Sequence, residues 1–145
     1  MNANSNTQPN RRRSLSLIGL AALGALAALS AAAWGQETPA SAIPAGANFT
    51  SWADNGQGGP IVLQLFSGEG PAAGTAVNGI VKSDTNCTPD AERVSHCHNR
   101  IALADGGAIE VVHNHAMGRY PCLSPGERLS LSRLEGDWLV ATAVK

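Results

Sequence analysis

Residues 61–145 predict an all-β domain, a small barrel of five or six strands. Three observations carry this. No segment sustains the apolar period of an amphipathic helix. Short apolar or alternating runs recur between Gly, Pro and Asp-Gly turn signals. A sheet so small cannot cover its own edges, and closing it on itself removes them.

The first 35 residues carry the plan of an export signal. A polar stretch and Arg11, Arg12 and Arg13 precede the apolar, small-residue run SLSLIGLAALGALAALSAAAWG. Small-x-small cleavage sites stand at Ala31-Ala32-Ala33, before Trp34, and at Ala33-Trp34-Gly35, before Gln36, the second leaving 110 residues. The arginines beside a weakly hydrophobic core also fit twin-arginine export, although Ser16 stands where an apolar residue is expected; the general secretory route is the alternative. An uncleaved anchor competes, since Leu15 to Ala33 is about long enough to span a bilayer. The cleavage sites, with no lipid-accepting cysteine beside them, favour a periplasmic or secreted product free of the membrane.

Cleavage removes three of ten basic residues and none of eleven acidic ones, leaving seven against eleven and a net charge of −4. Such a chain, with no basic run, repels phosphate backbones, which excludes nucleic acid as a partner. Residues 36–60, mostly Ala, Gly, Pro, Ser and Asn with Ile43, Phe49 and Trp52 as the large apolar groups, read as a flexible tether with one or two anchoring points. The barrel then begins at IVLQLF, 61–66, an apolar run suited to a buried strand. The following SGEGPAAG is a loop, lacking the Lys-Ser/Thr and helix of a phosphate cradle. TAVNGIVKSD makes a strand with Gly79 at a bend. RVSHCHNRIALA and AIEVVHNH make one hairpin, and ERLSLSRL and DWLVATAV a second across Glu-Gly-Asp.

The order Val-x-Gly-x-Val at 77–81, NRIALADGGAIEVVH at 99–113 and LSPGERLSL at 123–131 resembles the OB-fold barrel, including its S1-like version in bacterial initiation factor one. The chain is also similar to small exported bacterial proteins of uncharacterised function. The likeness spans roughly Thr75 to Val144 and lies in the turns, so it implies an OB-like barrel and no chemistry. The initiation factor's nucleic-acid role is not implied for an exported, acidic chain poor in stacking aromatics.

All four histidines lie between His96 and His115, as two His-x-His pairs with Cys97 inside the first. A three-residue connection Asp105–Gly107 pairs Ala104 with Ala108, Leu103 with Ile109 and Ile101 with Val111. Asn99 then faces His113, and Cys97 faces His115. In this register Cys97, His113 and His115 share the core-side face. With Cys122 from the following loop they form a recognised ligand set for copper or zinc. His96, His98 and Arg100 point to the other face. A bulge at Val111-Val112 would instead bring His98 opposite His113 and His96 opposite His115, adding His96 and His98 to the site. The competing reading is four ordinary hairpin-end histidines and a small buried cysteine.

Three cysteines in an oxidising compartment predict one disulfide and one leftover thiol. A bridge from Cys97 to Cys87 or Cys122 takes its thiolate away from any metal. Catalysis is not expected: His96 and His98 point away from Cys97, and His115, which could serve it as base, has no oxyanion arrangement beside it. Arg119 and Tyr120 follow the second histidine pair; they read first as a surface loop and, in the alternative, as the lining of a ligand mouth. The expectation is an exported, non-enzymatic binding module for an unknown protein or small-molecule ligand. The alternative is a periplasmic copper- or zinc-binding protein.

Overall fold

A computed structural model describes residues 42–145; the signal expected over 1–35 and the first residues of the tether lie outside them. Six strands are present: β1 (Ile61–Ser67), β2 (Ala76–Thr85), β3 (Ser95–Leu103), β4 (Ala108–His115), β5 (Arg128–Glu135) and β6 (Trp138–Ala143). All neighbours are antiparallel, and the order β1-β4-β3-β2-β5-β6 closes when β6 returns to β1. β2-β3-β4 is a meander, β5-β6 is a hairpin held to β2, and β1 fills the remaining gap between β4 and β6. This closed six-stranded barrel is compatible with the OB-like architecture, and every expected strand is present.

The interior is filled by alternate residues of each strand, as a pleated sheet requires. Leu63, Val81, Ile101, Val111, Leu131 and Leu139 have no exposed surface, and Ile109 and Leu129 almost none. Each such burial contributes about 1.5–3 kcal/mol. Gly79 is interior too: a Cβ there would lie 2.6 Å from Cγ2 of Ile101 and 3.1 Å from Cδ1 of Leu131. The glycine expected at a bend is therefore where the core needs the space.

β1 is buried on both faces, which explains its continuous apolar run. Leu63 points inward, while Val62 points outward beneath a second cluster with Phe49, Trp52 and Val94. Trp52 stacks on Trp138 with ring centroids 5.2 Å apart. The described part of the expected tether, 42–60, is thus a packed strap. Its anchors include Asn55, whose Nδ2 donates to the carbonyls of Val62 and Asn114 and whose Oδ1 accepts from the Val62 amide, each at 2.8 Å. This fully buried amide joins the strap to both β1 and β4.

The β3-β4 hairpin corrects the expected register. Ala102 pairs with Ala108, Ile101 with Ile109, Asn99 with Val111 and Cys97 with His113, two residues away from the expected partners. The cause is which glycine takes the left-handed position. Gly106, at φ 95°, does so and donates to the Leu103 carbonyl, while Leu103 donates to Gly107. The three-residue loop is Ala104–Gly106, and Asp105 Oδ1 holds it by accepting from the Gly107 amide at 2.9 Å. A slip of two leaves every side chain on its expected face. Pairing runs unbroken from Ser95–His115 to Ala102–Ala108, so the bulge that would recruit His96 and His98 is not formed.

Bulges occur elsewhere. In β1 the pairing with β4 shifts between Leu65 and Ser67, extruding Phe66, which is 64% exposed and meets the His98 ring edge-on. In β2 the pairing with β3 shifts between Val81 and Ser83.

Gly79→Ala is expected to lower stability by about 1–3 kcal/mol through overpacking. Urea unfolding would show this as a lower midpoint with unchanged slope.

Candidate functional site

The barrel interior is apolar at one end and rich in donor atoms at the other. The polar end is assembled by strand parity. On β3 and β4, Cys97, Asn99, His113 and His115 alternate inward and are essentially buried. On β2 the bulge at Lys82 reverses the alternation. Val81 faces Ile101 inside, Ser83 then faces the exposed Arg100, and Asp84 faces Asn99 inside. Without the extra residue Asp84 would point to solvent.

Asp84 is the hub of this end. Its Oδ1 accepts from Asn99 Nδ2 at 2.8 Å, and both carboxylate oxygens lie 3.4 Å from Cys87 Sγ. Cys87 and Cys97 form a disulfide, and Cys122 is the free thiol, its Sγ 4.0 Å from that of Cys97. Asp84, Cys87, Cys97 and Cys122 each place one ligand atom within 4.8 Å of the others, a group that could hold a metal ion with the bridge open; while Cys87 and Cys97 are bridged, only Asp84 and Cys122 of the group offer ligands. Burial, and then the neighbouring Asp84 carboxylate, push the Cys122 thiol above its ordinary range.

His113 and His115 stack on each other, with centroids 3.8 Å apart and planes 7° from parallel. His115 Nδ1 lies 3.3 Å from the His113 carbonyl. Neither ring nitrogen of His113 has a hydrogen-bond partner among the described residues, and nor does Nε2 of His115. Burial, with the adjacent His115 adding to it, pushes His113 down to about 3. Burial also lowers His115, against the opposing pull of the His113 carbonyl and Asp84.

A pocket of about 230 Å³ opens beside this end and is lined by His113, Tyr120, Cys122, Glu127 and the apolar Ile61 and Leu129. Its rim is tied to the strap. Arg119 pairs with Asp54, and the Tyr120 ring lies close to Gly56, where a Cβ would meet it at 3.2 Å. Tyr120 thus lines this pocket, while Arg119 fastens the loop to the strap.

Of the expected ligands, Cys97 and Cys122 meet in the sulfur cluster, and His113 and His115 form their own stacked pair. One expectation is corrected: the bridge to Cys87 occupies Cys97, so it offers no thiolate in this state. His96 and His98 lie on the outer face, as the unbulged hairpin has them, and the bulged alternative is not formed. His96 spans Asp90 Oδ2 at 3.1 Å and Asn114 Oδ1 at 2.7 Å, and so joins a loop to β4. Asp84 was not legible as a site residue, since its inward orientation depends on the bulge.

No family model, curated protein or solved structure matches the chain, so the site is read from its own geometry.

In metal-free protein the buried histidines should make stability depend on pH. The folded pKa of His113, about 3, lies below the unfolded value of 6.5, so the unfolded chain takes up the proton first as pH falls. The contribution is complete above the unfolded value and is lost towards the folded one. It falls by at most about 1.4 kcal/mol per pH unit for this group, and His115 acts in the same direction. Urea unfolding between pH 7.5 and 5 should show this decline, and His113→Phe should make it shallower; equal slopes would contradict the assignment.

Proposed function

We propose that the chain is an exported, non-enzymatic binding module that takes a soft or borderline transition metal ion, copper(I) or zinc, at the polar end of its barrel. The observation that carries this reading is the buried imidazole of His113 with both nitrogens unpartnered. A buried polar atom without a partner costs about 1–3 kcal/mol, and three such nitrogens lie together on His113 and His115. Neutral imidazoles are also the form that binds metals, and burial keeps both histidines neutral.

Cys122 adds a thiol on the wall of the pocket that His113 also lines. Imidazole with thiolate suits copper and zinc, and Asp84 supplies a carboxylate in the same region. Metal binding would displace the Cys122 proton, so affinity should fall as pH falls. Export is supported by the arginine-then-apolar start and its small-x-small sites, and the Cys87–Cys97 bridge is compatible with an oxidising compartment. A second reading keeps the same mouth for a small organic ligand. It is favoured by the apolar Ile61 and Leu129, which line the pocket together with Tyr120.

Competition titration with Cu(I) and Zn²⁺ should show that His113→Ala, His115→Ala and Cys122→Ser each weaken binding by more than roughly 100-fold, as loss of a direct ligand does. His96→Ala and His98→Ala should change it by less than about tenfold. Equal losses from all four histidines would contradict the site. No binding by the wild type at micromolar metal would remove the metal reading and leave the organic ligand.

A further inference from the structure

The three sulfurs form a compact set that metal binding does not explain. A disulfide normally isolates its two cysteines from the rest of the chain, yet here the remaining cysteine stands against it. Cys122 Sγ is 4.0 Å from Cys97 Sγ, in van der Waals contact with one end of the Cys87–Cys97 bridge. Asp84 touches the other end, at 3.4 Å from Cys87 Sγ, and its carboxylate also lies within 4.8 Å of Cys122 Sγ. One carboxylate therefore spans an entering and a leaving sulfur.

We propose that Cys87, Cys97 and Cys122 form a thiol–disulfide exchange centre, in which the bridge migrates between Cys87–Cys97 and Cys97–Cys122 and Asp84 carries the proton. In the forward step the Cys122 proton passes to the Asp84 carboxylate, and the Cys122 sulfur attacks Cys97 Sγ. The Cys97–Cys122 bond forms as the Cys87–Cys97 bond breaks, with its electron pair leaving on Cys87. Asp84 then returns the proton to the Cys87 sulfur. One disulfide and one thiol are present before and after, so no outside oxidant or reductant takes part.

Several features favour the step. Attack requires a thiolate; burial and Asp84 keep Cys122 protonated at rest, so its proton must leave with the attack, and the carboxylate within 4.8 Å is an acceptor at hand. Because the three sulfurs all lie within 4.8 Å of one another, an in-line approach requires the Cys122 side chain to swing around Cys97. Cys122 sits in the irregular segment between β4 and β5, where that swing breaks no strand pairing. Cys87 likewise lies just beyond β2, outside the ladder, whereas Cys97 is fixed within β3. Two partners outside the ladder thus exchange on one sulfur held within β3. Migration would withdraw the thiol from the pocket wall and place a free thiol at Cys87.

The test uses chelator-treated wild-type protein, so its result is independent of metal binding. One portion is acid-quenched and alkylated under denaturing conditions, recording where the free thiol rests. Another is alkylated slowly at neutral pH with dilute iodoacetamide, so that exchange precedes capture. Non-reducing peptide mass spectrometry then locates the label and the bridge. The expected result is a share of label at Cys87 at least about threefold higher under slow capture, matched by Cys97–Cys122 peptides. Equal shares in the two captures, or label confined to Cys122 in both, would overturn the proposal. A Cys87→Ser chain treated with diamide should close Cys97 to Cys122, and a folded chain that keeps two free thiols would also overturn it.

Discussion

One extra residue in β2 decides what the barrel contains at its polar end. Up to Val81 the strand alternates regularly, with Val77, Gly79 and Val81 inward. Had that alternation continued, Ser83 would face Asn99 and Asp84 would face water. The bulge at Lys82 reverses the order, and Asp84 pairs with Asn99 inside. Everything distinctive about this end follows from the placement: a carboxylate against the Cys87 sulfur, a base within reach of Cys122, and a negative charge near His115. A β-bulge costs one ladder position, and here it turns a carboxylate towards the inside of the barrel.

That arrangement is expensive to fold around. Unpartnered nitrogens on His113 and His115, each worth about 1–3 kcal/mol, are a large fraction of the roughly 5–15 kcal/mol that holds a typical domain together. The opposite end offsets them with a fully closed apolar core, and the strap adds a second cluster outside β1. Asn55 fixes the strap to both strands beside the polar end, while Asp54 and Gly56 on either side of it hold Arg119 and Tyr120. The loop bearing Cys122 is therefore positioned by residues over 60 positions earlier in the chain.

Much of the fold was legible because strand patterning and turn chemistry act locally. Each strand lies where an apolar or alternating run meets Gly, Pro or Asp-Gly. Faces in the β3-β4 hairpin were also legible, since burial constrains parity and any slip that preserves burial must be even. The register itself was ambiguous: Gly106 and Gly107 are adjacent, and the turn forms on the first, with the Gly107 amide bonded to Asp105. The candidate site was half legible. Cys97, Cys122, His113 and His115 follow from parity and composition, whereas Asp84 requires knowledge of a bulge that neither hydrophobicity nor turn residues announce. The strap was obscured for a different reason. Its Ala, Gly, Pro and Ser look like linker, and its order depends on Phe49, Trp52 and Asn55 meeting Val62 and Trp138.

The central claim is that these buried donors converge on a bound ion, and X-ray absorption spectroscopy of the zinc- or copper(I)-loaded wild type tests it most directly. The account predicts a mixed first shell containing sulfur, at about 2.3 Å for zinc, together with the multiple-scattering signature of coordinated imidazole, both weakened in His113→Ala. A shell of oxygen alone, or one unchanged by that substitution, would contradict it.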